Sequence, residues 1–137
     1  MNRPSLAYSR RSSGAAGAGE RGSASIQLVI LMPALFALMF LGVQAALMYQ
    51  GRTIVLAAAQ EGARVAAAEH GTAAQGITTA RSFVASTSAG MTNVTAQADR
   101  SAVDVRVTVS AHTVSVIPGW NPLISQSASM PVEKVTG

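Results

Sequence analysis

The chain has no cysteine among its 137 residues, which excludes a disulfide framework, a thiolate nucleophile and any cysteine-based zinc or iron–sulfur site. Aromatic residues are scarce at 4% and charged residues make up only 12%. The formal net charge is +4, yet the cations form no patch: Arg3, Arg10, Arg11 and Arg21 come first, and the rest are spaced singly from Arg52 to Lys134. Nucleic-acid recognition needs clustered basic side chains with interleaved aromatics, so no nucleic-acid partner is expected. Catalytic patterns are missing too. His70 and His112 are the near-neutral acid–base groups, and neither lies in a His-Glu-x-x-His, Gly-x-Ser-x-Gly or Gly-rich phosphate-loop pattern. The sequence therefore leads us to expect no catalytic residue, no cofactor, no metal and no small-molecule substrate.

The most informative absence is that of charge between Arg21 and Arg52. Within that stretch the apolar run from Ile26 to Tyr49 would be about 36 Å long as a helix at ~1.5 Å per residue. The hydrocarbon core of a bilayer is ~30 Å thick. Leu28 to Met32 and Leu38 to Leu41 are unbroken apolar blocks, so this helix has no polar face, unlike a water-soluble one. Pro33 is tolerated in a spanning helix when neighbours satisfy the carbonyl that it frees, and Tyr49 falls where an interfacial aromatic is favoured. The arginines before the run outnumber those just after it, which predicts a cytoplasmic N-terminus. Two rival readings remain. One is a cleaved secretory signal ending near Ala45, releasing a soluble binding module; its difficulty is a run longer than the usual hydrophobic region. The other is a single-pass membrane protein of unrelated role. Ser9-Arg10-Arg11-Ser12 resembles a twin-arginine signal, but small residues follow it.

The pattern divides the chain into a flexible basic cytoplasmic leader (1–22), a transmembrane helix (23–50) and an extracytoplasmic α+β domain (51–137). Residues 1–22 are rich in Ser, Gly, Ala and Arg and bury too little apolar surface to offset ordering entropy. The transmembrane helix continues into an exposed alanine-rich spine up to His70-Gly71, with Glu61 and Arg64 able to pair at i,i+3. Ala58, Gly62 and Ala66 form a small-residue helix-packing ridge: either it admits another helix closely or it packs on the chain's own sheet. A second short helix is predicted over Thr72–Ser88, from the spacing of Ile77, Ala80, Phe83, Val84 and Thr87.

A small antiparallel three-stranded sheet should follow. Val94, Ala96 and Ala98 alternate ahead of a turn at Asp99-Arg100-Ser101, and Val103 to Ala111 alternate strictly with polar residues. Val114 and Val116 switch phase, which predicts a bulge or a bend near His112-Thr113. Ala128, Met130 and Val132 form the third strand, an edge because of Pro131. Trp120, in the loop between two prolines, is a candidate surface anchor, although a thin core short of large side chains would more readily use it as a cap. Asn93-Val94-Thr95 fits the glycosylation sequon, a pattern frequent by chance.

The stretch Glu20-Arg21-Gly22-Ser23-Ala24-Ser25-Ile26-Gln27-Leu28 through Pro33 resembles the N-terminal signature of TadE-like proteins, minor pseudopilin-like components of the Tad/Flp (tight adherence) type IV pilus machinery. Gln60-Glu61-Gly62-Ala63-Arg64-Val65-Ala66-Ala67 and Ser127 to Lys134 resemble later segments of that family. The resemblance implies an α+β fold in which the membrane helix runs on into a spine. It places a candidate prepilin-type cleavage between Gly22 and Ser23, and marks Gln27 and Pro33 as helix-signature residues. Family members commonly have glutamate at the position of Gln27; an amide there can hydrogen-bond a neighbouring N-terminal amine but supplies no charge. The implied partners are the inner membrane, other pseudopilins or Tad assembly proteins, and a prepilin peptidase.

Overall fold

The computed structural model describes residues 15–134, with side chains from Glu20 to Lys134. Arg3, Arg10, Arg11 and the twin-arginine-like segment lie outside the described residues. The elements run α1 (Ala15–Ala67), α2 (Ala73–Thr87), β1 (Thr92–Arg100), β2 (Asp104–His112) and β3 (Leu123–Pro131). The fold is α+β: a long apolar N-terminal helix, a short second helix and an antiparallel sheet ordered β1-β2-β3.

Helix α1 is a single element of 53 residues. Residues 15–22, assigned above to the leader, are part of it. Once an apolar helix is nucleated, further turns of alanine-rich chain add at little cost. The chain divides after Met39 into two units. In the first, Ile26, Leu28, Val29, Ile30, Leu31, Met32, Leu35, Phe36, Leu38 and Met39 are all exposed. The most apolar 18-residue window of the helix has a mean hydropathy of 2.4, and none of it is buried. Length and composition both suit a bilayer span.

In the second unit α1 becomes one-sided. Gly51, Val55, Ala58, Ala59, Gly62, Ala63, Ala66 and Ala67 are buried, while Arg52, Gln60 and Arg64 are exposed. That spacing of three and four residues is one helical face. It packs into a common core with Ala80 and Val84 of α2, Ala96 of β1, the β2 residues Val105, Val107, Val109 and Ala111, and Ile124 of β3. The largest fully buried side chains are valines, so the core is thin, as the composition predicts, and close approach of backbones makes up for small side chains.

Helix α2 begins at a capping box. The Thr72 hydroxyl accepts from Gln75 N–H at 3.2 Å, and the Gln75 side chain accepts from Thr72 N–H at 3.0 Å. The end of α1 is held more elaborately. Arg100 of β1 donates through Nε to the Ala66 carbonyl at 2.9 Å and through Nη2 to the Ala68 carbonyl at 3.4 Å. Glu133 N–H donates to the Ala67 carbonyl at 2.9 Å. Carbonyls that a helix end leaves without intrahelical partners are thus closed by residues distant in sequence, one of them a cation at the negative end of the helix dipole. The predicted Glu61–Arg64 pair forms at 3.5 Å on the exposed side.

The alternation in β2 is realised as read: odd residues face the helices and even residues face outward. The β1–β2 hairpin turns at Ser101, whose N–H donates to the Asp104 carbonyl at 2.8 Å and whose hydroxyl bonds the Asp104 carboxylate. The bulge or bend expected near His112-Thr113 is found as a bend out of the sheet after His112. Strand β2 ends at His112, and the irregularity lies on β1 between Thr92 and Thr95, where Asn93 has a positive φ of 51°. Thr113 N–H turns away to the Pro122 carbonyl at 3.1 Å, so Val114 and Val116 have left the sheet and answer to neither of its faces. Strand β3 starts earlier than its alternating apolar residues suggest. Ser125, Ser127 and Ser129 stand on the outer face and bond Ser110 at 2.9 Å, Thr108 at 2.7 Å and Arg106 at 3.2 Å. Pro131 ends this edge strand, where a missing donor is tolerated.

Candidate functional site

The residues singled out in the sequence fall into three groups. Gly22, Ser23, Gln27 and Pro33 lie in the exposed N-terminal part of α1. Nothing lies within 4 Å of a methyl built on Gly22, so its backbone is open to approach. Pro33 cannot donate to Val29, which leaves that carbonyl without its helical partner.

The ridge Ala58, Gly62 and Ala66 is buried inside the second unit. A methyl on Gly62 would come within 2.7 Å of the Gly76 carbonyl oxygen, 3.1 Å of Ala80 Cβ and 3.3 Å of Val107 Cγ1. Of the two readings open for this ridge, packing against the chain's own second helix and sheet is the one found. The close approach at Gly62 is to α2 of the same chain, because α2 brings its own Gly76 to the same place.

Trp120 is 42% exposed, which corrects the reading of it as a cap on the core. Valines and alanines close the core without it, and it stays in the loop as a surface aromatic. That loop is held by a residue the sequence reading passed over. Gln44, 3% exposed in the second unit, accepts at Oε1 from Val116 N–H at 2.9 Å and from the Ser115 hydroxyl at 3.0 Å. The Val116 donor fixes which end of the amide faces the loop. The Gln44 Nε2 is buried with no hydrogen-bond partner. The signal was present in the sequence as an amide deep in the apolar run, a position where a polar group is costly unless something needs it; the run's other amide, Gln27, stands at its start.

Titratable groups are dispersed. His70 is exposed in the turn after α1, beside an open groove of about 630 Å³ lined also by Val65, Ala74 and Thr78. His112 is occupied: its Nδ1 is 2.9 Å from the Asn121 carbonyl oxygen. Among the described residues no three His, Cys, Asp or Glu side chains gather where a metal could be held. What the geometry does provide is, in the first unit, an exposed apolar stretch of α1 and, in the second, a small, closely packed domain whose loop is bonded to its own stretch of α1 at Gln44.

Residues 22–64 match the family model described as TadE-like protein, the same family that the N-terminal signature resembles. No curated protein and no solved structure matches the chain.

Proposed function

We propose that this TadE-like chain is a membrane-anchored, pseudopilin-like protein of Tad/Flp pilus assembly, and that it acts by helix packing and subunit contacts without catalysing a reaction. The observation that carries the reading is that the family match, residues 22–64, takes in both the apolar part of α1 and the start of its buried face. The arginine-rich N-terminal flank supports a single pass through the inner membrane with the N-terminus cytoplasmic and the α+β domain outside. The ridge at Gly62 is taken up within the domain, so contacts with other pseudopilins or Tad proteins fall to the apolar part of α1 and to exposed surfaces of the domain. A prepilin peptidase acting between Gly22 and Ser23 would free an N-terminus near Gln27.

The rival, a soluble module released near Ala45, meets a specific obstacle. Gln44 is a buried member of the domain through its bonds to Ser115 and Val116, and a cut after Ala45 would remove it. Intact-mass measurement on protein recovered from membranes and from medium separates the readings. A membrane form starting at Ser23 supports pseudopilin processing, and an uncut membrane form supports a plain anchor. A form in the medium starting near Ala46 would overturn the proposal.

A further inference from the structure

Outside α1, the exposed large apolar side chains among the described residues are Val103, Val114, Val116, Ile117, Trp120 and Leu123. All but Val103 belong to one segment, Thr113–Leu123, which contains no charged residue. The segment is an ordered structure. Thr113 N–H bonds the Pro122 carbonyl and closes its neck, Ile117 N–H donates to the Ser115 hydroxyl at 3.0 Å, and Trp120 N–H donates to the Ile117 carbonyl at 3.3 Å. With Val116 N–H given to Gln44 and no N–H on Pro118, the stretch Val116–Pro118 leaves no backbone donor free. Such a stretch loses less on leaving water, since an unmade backbone hydrogen bond is the main cost of entering an apolar phase.

Where the loop is tied decides what covers it. The exposed apolar residues of α1 run without a charge from Ile26 to Val43, about 27 Å at ~1.5 Å per residue, close to the ~30 Å of a hydrocarbon core. Gln44 is the next residue, and it holds Ser115 and Val116. Tyr49, 76% exposed, follows within two turns, in the zone where amphipathic aromatics are enriched. Resting on the membrane-anchor reading above, we infer that Thr113–Leu123 is a second membrane contact: Val114, Val116, Ile117 and Trp120 enter the interfacial layer of the phospholipid bilayer where α1 leaves it. The tie at Gln44 sets the depth of this contact, and the buried amide is the link between the span and the foot.

Trp120 is the one tryptophan in the chain, so its fluorescence in the full-length protein reports this contact alone. The protein is reconstituted in phosphatidylcholine–phosphatidylglycerol vesicles with and without brominated acyl chains, and iodide is added to the buffer in parallel. We expect blue-shifted Trp120 emission, loss of that emission in brominated vesicles and little loss with iodide. Ile117→Asp, at a half-exposed position away from the core, should keep vesicle flotation and far-UV circular dichroism while reversing both quenching results. If the protein floats with vesicles but Trp120 is quenched by iodide and not by lipid, the foot is wrong and the anchor stands. If neither quencher reaches Trp120, protein covers it and the foot is likewise wrong. Failure to float, or extraction by alkaline carbonate, would remove the anchor and the foot with it.

Discussion

Gly62 and Gly76 meet back to back: a methyl built on either would lie 2.7 Å from the backbone oxygen of the other. The two helices are therefore closer here than any side chain allows, and this contact brings the alanine face of α1 and the short helix α2 onto the valines of β2.

Gly62→Leu should separate α1 from α2 and cost at least the ~1–3 kcal/mol typical of overpacking a core. Gly76→Ala should destabilise in the same direction, because Ala66 Cβ is only 2.8 Å from the methyl it would add. Thermal unfolding of the detergent-solubilised protein reads both, and carbonate resistance of the membranes should be unaffected. Unchanged melting of Gly62→Leu would mean that the helices are not this close.

Removing the Gln44 amide should loosen the loop without unfolding the sheet. Gln44→Leu takes the acceptor from Val116 N–H and leaves the Ser115 hydroxyl only the Ile117 carbonyl at 3.3 Å, a loss of about 0.5–1.5 kcal/mol per hydrogen bond. Amide hydrogen exchange at Val116 should speed up while exchange at Val107 and Val109 is retained. Equal protection of Val116 in the variant would show that the tie does not hold the loop.

Arg100→Ala should fray the end of α1. The guanidinium serves the Ala66 and Ala68 carbonyls, and hydrogen bonds from a charged donor contribute about 1.5–3 kcal/mol. Faster exchange at amides near the helix end and a lower melting temperature are expected, with Arg100→Lys recovering only part, since one ammonium cannot reproduce the guanidinium's two-site fork. A Lys variant as stable as the wild type would reduce the role of Arg100 to its charge.

Much of the fold is legible from period and composition. The uninterrupted apolar run gave α1, the alternating valines gave β2, and the helical spacing of Ile77, Ala80, Phe83, Val84 and Thr87 gave α2. Boundaries failed where local pattern and tertiary use diverge. Ser125 and Ser127 precede the apolar alternation that marked the third strand, yet a serine facing out beside Ser110 or Thr108 is a good partner across a strand. Val114 and Val116 read as a shifted strand because apolar alternation says nothing about hydrogen-bond partners. The candidate site was only half visible. Helix-packing spacing pointed to Gly62 but not to which helix would meet it, since that depends on Gly76, distant in sequence. Arg100 was read as part of a turn, because a side chain that caps a distant helix end leaves no local trace.

The bond from Glu133 N–H to the Ala67 carbonyl has a consequence for the order of events during synthesis. The face of α1 from Val55 to Ala67 is made early, but its covering strand β2 and the backbone that seals its last turn are made late. Closing so long a loop costs entropy before any contact returns it, and contacts between distant parts of a chain slow folding. Until β3 has emerged, the nascent domain has an unsealed helix end and an uncovered alanine–valine stripe, the state in which a chaperone or a protease would meet it. A chain stopped short of β3 should then be recognised as unfinished, however well its first half is anchored.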